Sequence, residues 1–451
     1  MPSICRAHVA VRLALLTALP FFASGRLARA QAPAPTLTYY SFGGVANNGT
    51  SPSGGVLVGP GGALYGTAYA GGSWTNCIDG GCGTVYSAIP PASSGGTWVE
   101  TVLYTFQGGS DGANPQGPLV TGGNGMLYGT TQQGGTGSCF TDGGCGTVFS
   151  LAPPTVPGGS WTETVLYRFT GVGDGSSPES GVVLGKDGAL YGTAANGGST
   201  ACDLTGQLPG CGTVFSLRPP ASPGAAWTLR VLYEFPGGPG GQYPDGLVFG
   251  PDQVLYGTTG AGGTGTGPCN VAGCGTVFSL TPPASPGAPW AHAVIYDFQG
   301  ANDGSHPGGV VIGQPSEGSI VLYGTTARGG SQPPCRSAGM DCGTVFALAS
   351  PASLGGPWTE TVLYTFPSFF GTSAVSIEGG LLFVLTYTTV YVMIPPAMPT
   401  GTWSAKVLWS FTSSSGPGSP FSALTLAHGV LYGASSEGGD LNGGTVFALT
   451  P

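Results

Sequence analysis

The residues of this chain whose types and spacing could do chemistry are its cysteines, one recurring aspartate and one recurring glutamate. Ten of the eleven cysteines fall in neighbouring pairs: Cys77 and Cys82, Cys139 and Cys145, Cys202 and Cys211, Cys269 and Cys274, Cys335 and Cys342. Such pairs either hold zinc or close short loops as disulfides. No histidine stands beside any pair, and an even count in an exported chain favours disulfides. Each would add about 2 kcal/mol by loop entropy, before strain is subtracted. Asp111, Asp174 and Asp303 each open an Asp-Gly-x-x-Pro element, with Asn48 at the equivalent place of a fourth. These carboxylates could bind calcium or sugar hydroxyls. One acid per element falls short of a calcium loop, and Asp-Gly also makes turns by local hydrogen bonding and positive φ. Glu100, Glu163 and Glu360 recur at one place in a tryptophan-led run. Repetition at one place argues for structure, on an outer strand where inward charge discourages edge pairing, rather than for the two acids that glycoside hydrolysis sets on either side of one bond.

Other signatures of catalysis are weaker. Gly108 to Gly112 satisfies G-x-S-x-G around Ser110, but that motif acts at a strand-to-helix elbow and no helical pattern follows. His292, His306 and His428 lie in different repeats, so a triad or a histidine metal site would have to be assembled across them. No metal and no cofactor is expected.

The first 30 residues resemble a secretory leader: Arg6 and Arg12, the run LALLTALPFFA, then Ala28-Arg29-Ala30 as a small-x-small cleavage site. That run is too short to span a bilayer, and no later one reaches spanning length free of glycine and proline. Cleavage after Ala30 leaves seven basic against twenty acidic side chains, a net charge of −13. Nucleic acid is not an expected partner, because phosphate binding needs clustered Lys and Arg. The expectation is an exported monomer, periplasmic or extracellular, with one domain over 31–451.

The elements that must position these residues repeat. Leu-Tyr-Gly begins at Leu64, Leu127, Leu190, Leu255, Leu322 and Leu431, with a worn copy, LLFVLT, around Leu382. Gly-Thr-Val-aromatic begins at Gly83, Gly146, Gly212, Gly275, Gly343 and Gly444, with a worn TTVY at Thr388. A short apolar run precedes each Leu-Tyr-Gly, and a run opened by tryptophan, as in WTETVLYRF from Trp161, follows every Gly-Thr-Val copy but the last. Four strand-like runs repeated seven times predict an all-β, seven-bladed β-propeller with four-stranded blades. The tryptophan-led run occurs only six times; TLTYYSF, residues 36 to 42, supplies the seventh copy. The N-terminal strand is therefore expected to complete the last blade and close the ring. An open solenoid, the rival, would need capped ends instead.

LYGTT, a GG doublet, GTVF and W-x-E-x-VLY-x-F together resemble the GloVer tandem repeat of exported bacterial proteins. The resemblance covers nearly all of the chain beyond the leader. It implies an exported repeat protein and no particular biochemical activity. The anchored members carry a tail after the repeats; none follows Pro451, so attachment to a surface is not expected.

With strands one to four running outward from the axis, the cysteine loops and the Asp-Gly-x-x-Pro elements share one face. That face should form a raised rim with a notch over the last two blades, where the loop between strands two and three is short. Near the notch, Phe369 and Phe370 replace the Asp-Gly-x-x-Pro turn. They either anchor a partner or fold inward to fill a degenerate blade. The function expected is a non-catalytic binding or scaffold module for a glycan or an envelope protein; the alternative is a polysaccharide hydrolase or lyase on a propeller.

Overall fold

In the computed structural model the two hallmark runs of each repeat are adjacent antiparallel strands. Leu127–Gln133 pairs with Thr147–Ala152 so that Gly129 stands opposite Phe149. A Cβ on Gly129 would lie 2.6 Å from the Phe149 ring, and one on Gly257 would lie 2.6 Å from Phe278. Glycine in Leu-Tyr-Gly thus leaves room for the aromatic of Gly-Thr-Val-aromatic to lie across the neighbouring strand, a pairing that shields an otherwise bare backbone. The structure describes residues 34–451 other than 44–47, 75, 78–79, 94–95, 140–142, 200–201, 203–209, 223, 266–268, 270–271, 286, 301, 314–318, 331–341, 352–355, 367–371, 397–400, 412–416 and 419–422. The expected leader, with its cleavage site at Ala30, lies outside the described residues.

Seven sheets each run first, second, third, fourth strand in hydrogen-bonded order. Blade four is representative, with Gln242–Phe249, Leu255–Ala261, Thr276–Thr281 and Ala291–Asp297. The seventh sheet is Thr425–Ala427, Val430–Ser435, Thr445–Thr450 and then Thr36–Ser41, whose Tyr40 sits opposite Val446. The protein is a seven-bladed β-propeller closed by its own N-terminal strand. Closure leaves no blade without a neighbour, so every large sheet face is covered.

The blades are joined by aromatic pairs at all seven junctions. The phenylalanine that ends each fourth strand meets the third-strand aromatic of the next blade: Phe106 with Phe149, Phe169 with Phe215, Phe235 with Phe278 and Phe298 with Phe346, at 5.1 to 5.2 Å between centroids. Phe366 meets Tyr391, Phe411 meets Phe447, and the ring closes where Phe42 meets Tyr86 at 4.9 Å. Pairs of this kind contribute about 1 kcal/mol each beyond the area they bury. The tryptophans make a second contact across the junction, as where Trp161 packs on Tyr65 and Trp227 on Tyr128.

The Asp-Gly-x-x-Pro element, expected as a turn, is more than that, because its last residues already pair with the second strand: Pro115 with Thr131 and Pro307 with Thr326, as Pro244 of the Gly-Gly-x-x-Pro counterpart in blade four does with Thr259. Within two residues of the proline the register slips, between Asp245 and Leu247 and between Pro307 and Val310. A bulge there locally relaxes the pairing of the first strand.

Candidate functional site

Four of the expected disulfides, Cys77–Cys82, Cys139–Cys145, Cys202–Cys211 and Cys269–Cys274, are formed, with Cα separations of 5.0 to 5.3 Å. Cys335 of the fifth pair lies outside the described residues; Cys342 is disulfide-bonded. The second cysteine of each described pair does more than close a loop. Its carbonyl accepts the backbone N–H of the residue before the next blade's proline: Asn114 to Cys82, Ser177 to Cys145, Tyr243 to Cys211 and His306 to Cys274, at 2.9 to 3.0 Å. Those donors hold φ between 54° and 58°. The disulfide therefore stiffens a strand start that clamps its neighbour.

The candidate aspartates are separated, one to a junction, and each is engaged. Asp111 accepts the Tyr104 hydroxyl at 2.8 Å and the Gln107 N–H at 2.7 Å. Asp174 accepts Tyr167, the Thr170 N–H and the Thr170 hydroxyl. Asp303 accepts Tyr296 and the Gln299 N–H. Such bonding fixes the turn and the tyrosine. The recurring glutamates face the same junctions. Glu163 lies near the charge of Asp111, and Glu360 near that of Asp303. Burial first, and the neighbouring aspartate second, push both carboxyls up to about 7. At the closing junction Asn48 replaces the aspartate. Burial still raises Glu100, while hydrogen bonds from Tyr40 and Asn48 pull it back.

His292 occupies the glutamate's place in blade four, stacked on Tyr233 at 4.0 Å and pushed down to about 4 by burial. His306 is one of the left-handed clamp residues, and His428 sits with φ 52° between the first two strands of blade seven. Ser110 lies in a one-turn 3-10 helix, Gly109–Asp111, where its carbonyl accepts Arg168; it is not at a strand-to-helix elbow. Phe369 and Phe370 lie outside the described residues. The short connection expected in blade six is present, with only Tyr387 and Thr388 between Thr386 and Thr389.

A concave site lies on the axis. The first strands of all seven blades enclose a cavity of about 380 Å³, within the size range of small-molecule sites. Its walls differ. Blades two to four contribute Gln116, Glu179, Ser180 and Asp245, whereas blades five to seven contribute Gly309, Val310, Val311, Ala374, Val375 and Ala423. Gln132 donates to Glu179 Oε1 at 2.7 Å and is itself held by the Tyr69 hydroxyl at 3.1 Å. Ser180 donates to Asp245 Oδ1 at 2.5 Å. Burial, with a smaller contribution from the charge of Asp245, raises Glu179 despite the Gln132 bond. Among the described residues no group of three or more His, Cys, Asp or Glu could hold a metal ion.

Sequence reasoning passed over Glu179 and Asp245. Both follow the repeat's proline, in Pro178-Glu179 and Pro244-Asp245, where blades one, two and five have Pro52-Ser53, Pro115-Gln116 and Pro307-Gly308. The signal available was a polar, unrepeated position beginning the innermost strand.

No curated protein matches the chain. Among solved structures it is similar to a protein from Thermus thermophilus described as a putative oxidoreductase (glucose dehydrogenase), at 15% identity and TM-score 0.41, over 92% of this chain and 99% of that one. It is similar to the polysaccharide lyase Uly1 at 12% identity and TM-score 0.49, over 91% and 93%. It also resembles PorZ, a surface component of the type-IX secretion system of Porphyromonas gingivalis, at 14% identity and TM-score 0.49, over 87% of this chain and 46% of that one. Likenesses this distant carry no argument about activity. Two successive matches to the Gloeobacter/Verrucomicrobia repeat, over residues 23–208 and 204–447, span the propeller, as did LYGTT and GTVF in the sequence, and the chain belongs to that repeat family.

Proposed function

We propose that this protein is an exported, non-catalytic binding propeller that takes a small ligand, rich in hydrogen-bond donors, in its axial cavity. The observation that carries the reading is the cavity itself: blades two to four present the acceptors Glu179, Asp245 and Gln116 beside the Ser180 hydroxyl, and blades five to seven line it with glycine, alanine and valine. Acceptor clusters in a concave, partly apolar site suit ligands with several O–H or N–H groups, sugar units among them. Export is supported by the four disulfides, which persist in oxidising compartments.

The cavity also favours a second reading, because two carboxylates in one cleft are what glycoside hydrolysis uses. A glycan array combined with a reducing-sugar release assay separates the two. The binding reading expects retention of one ligand class without turnover, and loss of that retention in Glu179→Gln. Release of reducing ends that disappears in Glu179→Gln or Asp245→Asn would replace it with the hydrolase.

A further inference from the structure

Two features of the axial cavity narrow its ligand. The first is uncompensated negative charge. Glu179 and Asp245 come from neighbouring blades, and among the described residues no Lys, Arg or His lines the cavity. Each carboxylate is held by one donor, Gln132 on Glu179 Oε1 and Ser180 on Asp245 Oδ1. Tyr69 fixes the Gln132 amide with its NH₂ toward Glu179, so the carboxylate is oriented before any ligand arrives. Among the described residues Glu179 Oε2 and Asp245 Oδ2 accept no hydrogen bond, and neither is among the fully buried unpaired atoms. Both residues line the cavity. A cation between them would relieve the repulsion of two like charges, where a neutral hydroxyl would relieve little of it.

The second feature is the apolar lining from blades five and six, where Val310, Val311, Ala374 and Val375 border the cavity from the edges of the junctions they pack into. A hard metal cation gains nothing from it and seeks six or more oxygens in place of two carboxylates. An occupant carrying a compact positive charge on a carbon body uses both features.

We infer that the axial cavity selects organic ammonium ions, such as amino sugars or alkylamines, holding the –NH₃⁺ on Glu179 and Asp245 with the carbon body toward the apolar lining from blades five and six. The inference rests on the axial-binding reading above and adds the charge class. Three donors on the ammonium match the free carboxylate oxygens and leave one for Gln116 or a backbone carbonyl. Because burial and Asp245 raise the Glu179 carboxyl, protonation at acidic pH removes half of the counter-charge, and binding should weaken as the pH falls.

The test is calorimetry on the whole protein with matched probes: glucosamine against glucose, butylammonium against butanol, and calcium chloride alone. At least one ammonium probe should bind about tenfold or more tightly than its neutral partner. That preference should shrink as pH is lowered from about 8 to about 5. It should also disappear in Glu179→Gln/Asp245→Asn, whose melting temperature reports that the fold is kept. If neutral probes bind as well as charged ones, the axial-binding reading stands and the charge class is wrong. If calcium binds and the ammonium probes do not, the site is for metal and the inference is wrong. If no probe binds and the glycan array is also blank, the axial-binding reading falls with it.

Discussion

Replacing Glu163 and Glu360 together with glutamine should stabilise this propeller near neutral pH and leave it unchanged in acid. Each carboxyl is packed into a blade junction with one oxygen buried and unpaired. Glu163 faces Asp111, Tyr104 and Arg168; Glu360 faces Asp303 and Tyr296. Both are pushed up to about 7, against 4.5 for an unperturbed glutamate. Folded protein therefore holds protons that unfolded chain has released between those values. Stability contributed by the protonated carboxyls is complete below 4.5 and is lost as the pH rises through about 7. A fully desolvated carboxyl with this displacement would lose about 3 kcal/mol. Both side chains keep part of their surface in water, and screening reduces this to about 1 kcal/mol each. Glutamine cannot ionise, so the double variant should gain about 2 kcal/mol over the native protein above about pH 7 and about nothing near pH 4.5. The assay is the unfolding midpoint of both proteins across that range. His292, pushed down to about 4, has the opposite dependence, stability falling as acid is added, but it is common to both proteins and cancels in the difference. A difference that does not change with pH, or that favours the native protein at neutrality, would refute the reasoning.

Three further outcomes follow from the junctions. Ser177→Gly should raise stability by about 1 kcal/mol in denaturant titration, because Ser177 holds φ 56° and its buried hydroxyl has no partner. Phe42→Ala should cost about 3 to 5 kcal/mol, and deletion of residues 31–43 should cost more, since Phe42 is wholly buried against Tyr86 at the joint that closes the ring. Both are read as unfolding midpoints; a deletion as mild as trimming a loose terminus would contradict closure by the N-terminal strand. Replacing Cys139 and Cys145 by alanine should cost about 2 kcal/mol from loop entropy, and more from the clamp on Ser177. Hydrogen exchange should quicken at the Ser177 amide, across the junction, as well as in the loop.

Much of the fold was legible because each blade's inter-blade contacts are written in residues that cannot be exchanged. The glycine of Leu-Tyr-Gly, the aromatic that crosses it and the phenylalanine that ends the fourth strand are one steric unit, as Gly129, Phe149 and Phe106 show. Repeating that unit repeats the motif, so counting motifs counted blades. The worn sixth blade loses the pattern where Val384 stands opposite Tyr391, yet its strands keep their pairing because the apolar alternation survives. Asp111, Asp174 and Asp303 were equally legible as residues, and the structure places them in turns that hold a tyrosine. What the sequence hid was the junction environment of Glu163 and Glu360, since the aspartate that faces each glutamate lies a whole repeat earlier in the chain.

The axial cavity was hidden for a related reason. A repeat announces what every blade must share, and what every blade shares is structure. A ring of seven equivalent first strands would enclose a channel with seven equivalent walls, which binds nothing in one orientation. Selectivity requires the copies to differ where they face the axis. They differ at the residue after the proline, which is Ser53, Gln116, Glu179, Asp245 and Gly308 in successive blades. The structural demand there is only that a bulge follow the proline closely, and the bulge after Asp245 and the one after Pro307 show that an acid and a glycine both tolerate it. That freedom let two carboxylates from neighbouring blades gather at the cavity. In this chain the repeat breaks on the innermost strand at Glu179 and Asp245, and the motif itself marks the scaffold.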